Sequence, residues 1–311
     1  MKKILCINNG YYNIKTVNDV IFRSLYKEVE KDEILIKSDE IEYDGKIYAI
    51  GKGNPIKCTD KSDNIGTRLF ILNAICNVIS DDDIDINLLI TCPPLYKKSQ
   101  LESLPDYLKG SYNILWNGHK KSIRITDVDI LSETYTAYFS CSNIIESDDI
   151  AIIDIGGYNT NVCCIVDGEL EEYITLQHGI YHLQTELSQV INSRLIDVNS
   201  NVKPENVLRK IEKGLKFNGE NRLDDVKADI NNVYDNFVKS ISDAINDKGI
   251  DISTKDKLAT GGGGRLLFPY LKETYSDIVL SPNPIFENLN GLVKIAKKIY
   301  TGYDILGEKA D

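Results

Sequence analysis

Three short stretches of this chain combine glycine with residue types suited to holding phosphate. "INNGYYNIK" (7–15) places Asn8, Asn9, Gly10, Tyr11, Tyr12 and Asn13 after an apolar run, with Lys15 just beyond. "IIDIGGYNTN" (152–161) places Asp154, Gly156, Gly157, Tyr158, Asn159, Thr160 and Asn161 in the same way. "ATGGGGRL" (259–266) carries Gly261, Gly262, Gly263 and Gly264, then Arg265. A strand–glycine–strand turn presents consecutive backbone N–H groups outward, a concavity that suits phosphate oxygens. Lys15 on the returning strand adds a point charge. Asp154 ends an otherwise apolar strand, where an unpaired carboxylate is costly to bury, and a hydrated Mg2+ among phosphates is a fitting partner. Bare backbone at Gly261–Gly264, opening a helix, lets a base or a phosphate approach closely. No Gly-Lys-Ser/Thr follows, so this is not a P-loop. One such turn is an ordinary hairpin needing a permissive residue; three of them point to a nucleotide.

The elements that must position these turns are legible in the apolar pattern. Residues 3–8 read as a strand, Asn18-Asp19 as a tight turn and 20–24 as a returning strand. "IEYDGKIYAIG" alternates about Asp44-Gly45, the signature of a two-residue hairpin. Residues 67–79 carry Leu72, Ile75, Cys76 and Ile79 at helical spacing, and 86–94 is a buried strand stopped by two prolines. From 150 the theme repeats: strand, Gly-Gly turn, strand, Asp167-Gly168 turn, strand, then a helix over 180–196. A longer helix over about 224–247 has Val226, Ile230, Val233, Phe237, Ile241 and Ile245 on one face, with Gly249 ending it. A short strand leads through the four glycines into a helix ending near 273, and a last helix begins near 284.

In order and spacing, "INNGYYNIK", "IIDIGGYNTNV" and "LATGGGG" resemble the phosphate-1, phosphate-2 and adenosine motifs of the actin/sugar-kinase/heat-shock-chaperone ATPase superfamily. Within it the chain is most similar to the ParM-like group of bacterial actin-like proteins of plasmid segregation. The resemblance implies an α/β fold of two similar actin-like (ribonuclease-H-like) domains around a nucleotide cleft. The first would cover 1–142, with a C-terminal helix in 284–311 packing back on it, and the second 143–283. It implies ATP or GTP and Mg2+ as cofactors, filament formation by self-association, and a DNA-binding adaptor of ParR type on centromere-like plasmid DNA. It places Glu133, in "DILSETYTAYFS" (129–140), beside the attacking water, with Asp154 as the other catalytic and metal-holding acid. It assigns Glu212, Lys213 and Lys216 of "VLRKIEKGLKFNG" (207–219) to the adenosine, and Gly179 to the nucleotide's neighbourhood. From the residues alone, Glu133 reads as a first-turn helix acid, and 207–219 as a solvated charged face. The chain departs from the family at Asn8, where an acid is usual, and at Asn161, where Asp or His is common. Both leave hydrolysis expected, with Mg2+ held less tightly.

The bulk properties set limits on partners. A net charge of −11 disfavours direct binding to nucleic acid, which needs clustered Lys and Arg. Seven scattered cysteines (Cys6, Cys58, Cys76, Cys92, Cys141, Cys163, Cys164) with no CxxC pair point to a reducing compartment. The first apolar run is too short for a secretion signal and no run reaches membrane-span length, so a cytoplasmic protein with no membrane partner is expected. His178 and His182 lack a third ligand for zinc. Of the adjacent Cys163 and Cys164, one is expected in the core. Tyr11, Tyr12 and Tyr158 would shield phosphates from water or pack between hairpins. The rival readings are a small-molecule kinase, for which no catalytic aspartate is assignable, a chaperone-like ATPase, for which the chain is short, and a non-hydrolysing nucleotide-sensing filament scaffold, which Asn8 and Asn161 favour.

Overall fold

The computed structural model describes residues 2–30, 38–56, 61–93, 98–141, 144, 145 and 147–307. Cys58, Pro94, the expected boundary at 142/143 and the end of the expected last helix (308–311) lie outside the described residues. The chain divides into two compact units, Met1–Glu146 with Phe286–Asp311, and Ser147–Ile285.

The first unit begins with strands β1 (Lys3–Asn9), β2 (Asn13–Thr16), β3 (Val20–Arg23), β4 (Leu25–Val29), β5 (Asp39–Tyr43), β6 (Lys46–Ile50) and β7 (Asn54–Pro55). Helix α1 (Ile65–Val78), β8 (Asp83–Cys92), α2 (Lys98–Leu108), β9 (Gly110–Trp116), β10 (His119–Ser132) and α3 (Tyr135–Cys141) follow. The second unit holds β11 (Ile150–Ile155), β12 (Thr160–Val166), β13 (Glu169–Leu176), α4 (Ile180–Arg194), α5 (Pro204–Glu212), β14 (Lys216–Phe217) and β15 (Glu220–Asn221). It continues through α6 (Lys227–Asp247), β16 (Asp256–Thr260), α7 (Gly261–Thr274) and β17 (Val279–Leu280). Helix α8 (Glu287–Ile299) and β18 (Asp304–Ile305) return to the first unit.

Each unit is built on one five-strand pattern. In the first the order is β3-β2-β1-β8-β10, and in the second β13-β12-β11-β16-β17. Both consist of an antiparallel three-strand meander whose first strand pairs in parallel with a fourth strand, which pairs in parallel with a fifth. The first sheet then extends through β9, β5, β6, β4 and β7. The turns obey local chemistry. Asn18-Asp19, Asp44-Gly45 and Asp167-Gly168 all have positive φ at both residues, the geometry that lets a two-residue loop follow the sheet's twist.

Helix burial explains the sequence periods. Of the face expected on α6, Ile230, Val233, Phe237, Ile241 and Ile245 are buried, and Val226 is buried just ahead of the helix. Helix α1 is buried nearly all round from Leu69 to Cys76, and Asn64 caps it by accepting the Gly66 N–H at 2.8 Å. Its internal Asn73 is tolerated because Nδ2 donates to Asp39 and Oδ1 accepts from the Trp116 indole.

Two expectations need correction. The last helix stops at Ile299, and the chain returns as β18, parallel to the start of β1 (Lys3↔Asp304, Ile4↔Ile305). Cys163 and Cys164 are both fully buried, because the β12 strand is covered on both faces.

Candidate functional site

The first hairpin joins β1 to β2 with the ladder ending at Asn9↔Ile14, so residues 10–13 form the loop. Ser24 holds this loop from behind: its hydroxyl donates to Gly10 O at 2.8 Å and its N–H to Tyr12 O at 3.0 Å. A trans peptide points its N–H opposite to its C=O. The N–H groups of Tyr11 and Asn13, in the same peptide units, are therefore turned away from Ser24. Gly10 is required, since a Cβ there would lie 2.6 Å from Asn13 O. Asn8 is buried and donates Nδ2 to Thr91 Oγ1 at 3.0 Å. Its Oδ1 is 3.5 Å from the point where a Gly10 Cβ would stand, beside the loop. Lys15 is the ladder partner of Asn8 and is half-buried. The two tyrosines each carry a cation: Lys61 Nζ is 4.2 Å from the Tyr11 ring centroid, and the Arg23 guanidinium carbon is 3.8 Å from that of Tyr12.

The second hairpin repeats the frame. Its ladder ends at Ile155↔Thr160, leaving 156–159 as the loop, and a Cβ on Gly156 would lie 3.0 Å from Asn159 O. Here the backing comes from the start of α4. Ile180 N–H donates to Gly156 O at 3.0 Å and Tyr181 N–H to Gly157 O at 2.8 Å. The N–H groups of Gly157 and Tyr158 accordingly face away from α4. The approach of helix to loop is so close that a Cβ on Gly179 would meet Asn159 N and Tyr158 C at 2.6 Å. Tyr158 packs on Tyr181, ring centroids 5.2 Å apart. Asp154 is 5 % exposed at the end of β11, the ladder partner of Asn161 and Thr260. Asn161 Oδ1 accepts from Asn159 Nδ2 at 3.0 Å and from Thr175 Oγ1 at 2.9 Å. The Thr160 side chain is buried and donates to His178 O at 2.7 Å.

The four glycines form the first turn of α7, and they divide by what lies against them. Gly261 has φ +81°, and a Cβ there would stand 2.4 Å from both Asp154 Oδ1 and Ile155 O. A Cβ on Gly263 would fall 2.3 Å from Ile155 Cγ2. These two allow α7 to seat against β11. Gly264 is buried against Ala259. Gly262 has nothing within 4 Å of its would-be Cβ and is exposed, as is Arg265. Open backbone for a ligand is thus offered at Gly262.

Glu133 lies at the end of β10, ahead of α3, and is 8 % exposed. Its N–H donates to Cys92 O at 2.7 Å. Asn288 of α8 fixes the turn, with Oδ1 accepting the Thr134 N–H at 2.8 Å and the Thr136 hydroxyl at 3.1 Å. Burial pushes the neighbouring Cys92 thiol up to about 12, and both Lys61 and Glu133 act on that thiol electrostatically. Glu212, Lys213 and Lys216 are exposed on the segment running from α5 into β14, and α5 packs on α4. His178 stacks on Phe237 at 4.2 Å and against His182 at 5.5 Å, and burial lowers its pKa. The His182 Nδ1 accepts the Gly179 N–H.

In both units the polar groups collect at the carboxyl ends of the parallel strands, where open α/β sheets bind ligands. The first unit offers Asn8, Thr91 and Glu133 there, and the second Asp154, Thr260 and Ser281. Ser281 donates to Thr260 Oγ1 at 3.0 Å. Ser24, Thr91, Thr260, Lys61 and Arg23 do not stand out in the sequence. The signal for Thr91 and Thr260 is a single hydroxyl ending an apolar strand; Ser24, Lys61 and Arg23 have none, because they reach the loop from other elements. The donors fit a hard divalent ion: a buried carboxylate at Asp154 with oxygen donors around it suits Mg2+, which keeps most of its waters and binds through few carboxylates plus phosphate. Among the described residues no group of three His, Cys, Asp or Glu could hold a metal by itself.

Comparison with known proteins agrees with this geometry. Residues 7–135 match the family model for the N-terminal domain of actin-like proteins. No curated protein matches the sequence. Among solved structures, a 15-stranded ParM filament from Clostridium botulinum superposes with a TM-score of 0.76 at 22 % identity, covering 96 % of this chain and 100 % of that one. The archaeal actin homologue Ta0583 in complex with ADP gives 0.78 at 16 % identity, covering 95 % and 99 %. The Alp12 filament structure gives 0.69 at 22 % identity, covering 96 % and 100 %. At these identities the likeness is one of fold. The chain therefore has the actin-like fold, and its residues 7–135 are similar to the N-terminal domain of actin-like proteins.

Proposed function

We propose that this chain is a nucleotide-dependent, polymerising ATPase whose filaments segregate plasmid DNA. The observation that carries the reading is the pair of hairpins built to one frame, each with carbonyls bound from behind and N–H groups turned the other way. Such loops suit phosphate oxygens. The first hairpin supplies positive charge through Lys15 and the second a buried carboxylate at Asp154. A bound Mg2+, held by Asp154 and its waters, would neutralise the charge that develops on the transferred phosphate. Glu133 is assigned to orient the attacking water, since it is the buried acid at the strand ends of the first unit. Adenine nucleotide is favoured because the similarly folded Ta0583 is described in complex with ADP, and self-assembly because the ParM and Alp12 structures are described as filaments. The net charge of −11 favours contact with DNA through a basic adaptor in the cytoplasm rather than directly.

Light scattering with Mg·ATP, Mg·ADP and no nucleotide, read beside phosphate release, tests this. Nucleotide-dependent scattering with phosphate release is the expected result. ATP consumption only when a small-molecule acceptor is added, without scattering, would refute it in favour of a kinase. A second reading, a filament scaffold that binds nucleotide without hydrolysis, is favoured by Asn8 and by Asn161, whose amide oxygen already accepts two hydrogen bonds. Scattering without phosphate release would select it.

A further inference from the structure

Two of the chain's three histidines, His178 and His182, bracket Gly179 where β13 gives way to α4. This short segment holds the second loop at successive residues. His178 O accepts the Thr160 hydroxyl at 2.7 Å, and the Ile180 and Tyr181 N–H groups take Gly156 O and Gly157 O. Between them Gly179 presses on the loop backbone, with no room for a Cβ. His182 fixes Gly179 in turn. Its N–H donates to Gly179 O at 2.9 Å, and its Nδ1 accepts the Gly179 N–H at 3.2 Å. An Nδ1 that accepts carries no proton, so this clasp exists only with a neutral ring. In the imidazolium both ring nitrogens are donors, and Nδ1–H would face the Gly179 N–H. The surroundings also favour neutral rings. The His178 ring lies 5.5 Å from that of His182 and 4.2 Å from that of the buried Phe237. Burial first, and then His182, lower the His178 pKa from its ordinary value of 6.5. The stability gained by keeping His178 neutral is whole above pH 6.5 and is lost as pH falls through the lowered value. The other ionisable groups within the packed elements are Tyr158 of the loop, Tyr181 and Glu186 of α4, Lys210 of α5, and Asp229 and Tyr234 of α6. Lys210 lies over Phe217 and Asp229 pairs with Arg194, while the remaining charged side chains of β13, α5, α6 and α7 are exposed.

We propose that His182 is a positioning residue whose neutral ring locks the second loop in its nucleotide-binding form, and whose protonation releases that loop in mild acid. The inference rests on the nucleotide reading above and gives that site a control. A proton taken up at Nδ1 breaks the bond to the Gly179 N–H and sets a charge beside the His178 ring. Gly179 is then no longer held against the loop. The Ile180 and Tyr181 N–H groups that follow it lose their aim on Gly156 O and Gly157 O. With those carbonyls loose, the N–H groups of the same peptide units are no longer turned outward.

Equilibrium binding of Mg·ADP to the full chain, followed from about pH 7.5 down to about pH 5.5, tests this on the parent, His182→Phe and His182→Asn. Melting curves at each pH check folding. Phenylalanine keeps a ring and loses the acceptor; asparagine supplies an acceptor oxygen that does not titrate. At the upper pH His182→Phe should bind about tenfold more weakly than the parent, and His182→Asn should restore most of that loss. On acidification the parent should lose about tenfold more affinity than His182→Asn does. The nucleotide's own phosphate titrates over the same range, but equally for all three proteins, so it cancels in the ratio of parent to variant. A merely structural His182 would leave the asparagine variant with the parent's pH profile. That result, or His182→Phe binding as tightly as the parent at the upper pH, overturns the proposal and leaves the nucleotide reading intact. A parent that binds no Mg·ADP at any pH overturns the nucleotide reading, and this proposal with it. Should His182→Phe fail to fold, the pH profiles of the parent and His182→Asn decide the matter.

Discussion

The two hairpins share a backbone and differ in chemistry. Counting from the loop glycine, Asn8 and Asp154 occupy the same place, two residues before Gly10 and Gly156. Lys15 and Asn161 occupy the same place five residues after. Each pair is matched across its ladder, Asn8 with Lys15 and Asp154 with Asn161. The neighbouring parallel strand carries a threonine at its carboxyl end, Thr91 next to last in β8 and Thr260 last in β16. The backing differs as well: one buried serine binds two loop carbonyls in the first hairpin, whereas the first N–H groups of a helix do so in the second. Repetition of the frame with opposite charge placement puts a lysine on one hairpin and a carboxylate on the other. A nucleotide with its metal has both needs, phosphate oxygens requiring positive partners and the divalent ion a carboxylate.

Experiments can break this division or sharpen it. Asp154→Ala removes the acid of the second hairpin and should lower phosphate release roughly a thousandfold, measured at saturating Mg2+. Next in size is Gly261→Ala, which forces a Cβ into the Asp154 carboxylate at a left-handed φ. It should destabilise the second unit by about 3 kcal/mol, read as a loss in urea midpoint, and lower activity with it. Glu133→Gln should reduce hydrolysis about a hundredfold while nucleotide-dependent scattering persists; a parent rate of phosphate release would remove the assignment. Ser24→Ala strips the hydroxyl from Gly10 O and should cost about 1–2 kcal/mol of stability and weaken nucleotide, while the equivalent carbonyls of the second hairpin, bound by backbone, have no side chain to delete. Smallest is Asn8→Asp, which makes the two hairpins alike. The Thr91 hydroxyl can reverse to donate to the new carboxylate, so folding should be kept, and the Mg2+ needed for half-maximal activity should fall about threefold. An unchanged Mg2+ requirement would separate Asn8 from the metal.

The hairpins and the α6 face were legible because their signals are local: positive-φ residues at turns, and apolar residues at the helical period. Gly10, Gly156 and Gly179 could be singled out from sequence, but the reason for Gly179 could not, since its neighbours are the backbone of a loop twenty residues earlier. The same limit applies to the four glycines at 261–264, which read alike in sequence. Two of them are needed for packing against Ile155, and one is open to solvent. The cations on Tyr11 and Tyr12 were invisible because Lys61 and Arg23 come from other elements, and no pattern links an isolated lysine to a ring fifty residues away. The β18 strand was missed for a related reason: two residues of pairing make no period, and only β1 defines them as a strand.

That short strand has a consequence for how the molecule comes into being. The first unit is interrupted in sequence, and Gly291 of α8 is pressed so tightly on α3 that a Cβ would overlap Thr136 O. A ribosome delivers β1 before its β18 partner, with the whole of the second unit in between. The second unit, being contiguous, can complete its core while the first still waits for α8 and β18. During that wait the first unit exposes the apolar seam of Ile4, Cys6 and Leu89 that Leu289, Leu292 and Ile305 later cover. The unit begun earlier is thus finished after the other, and nascent-chain aggregation should originate there.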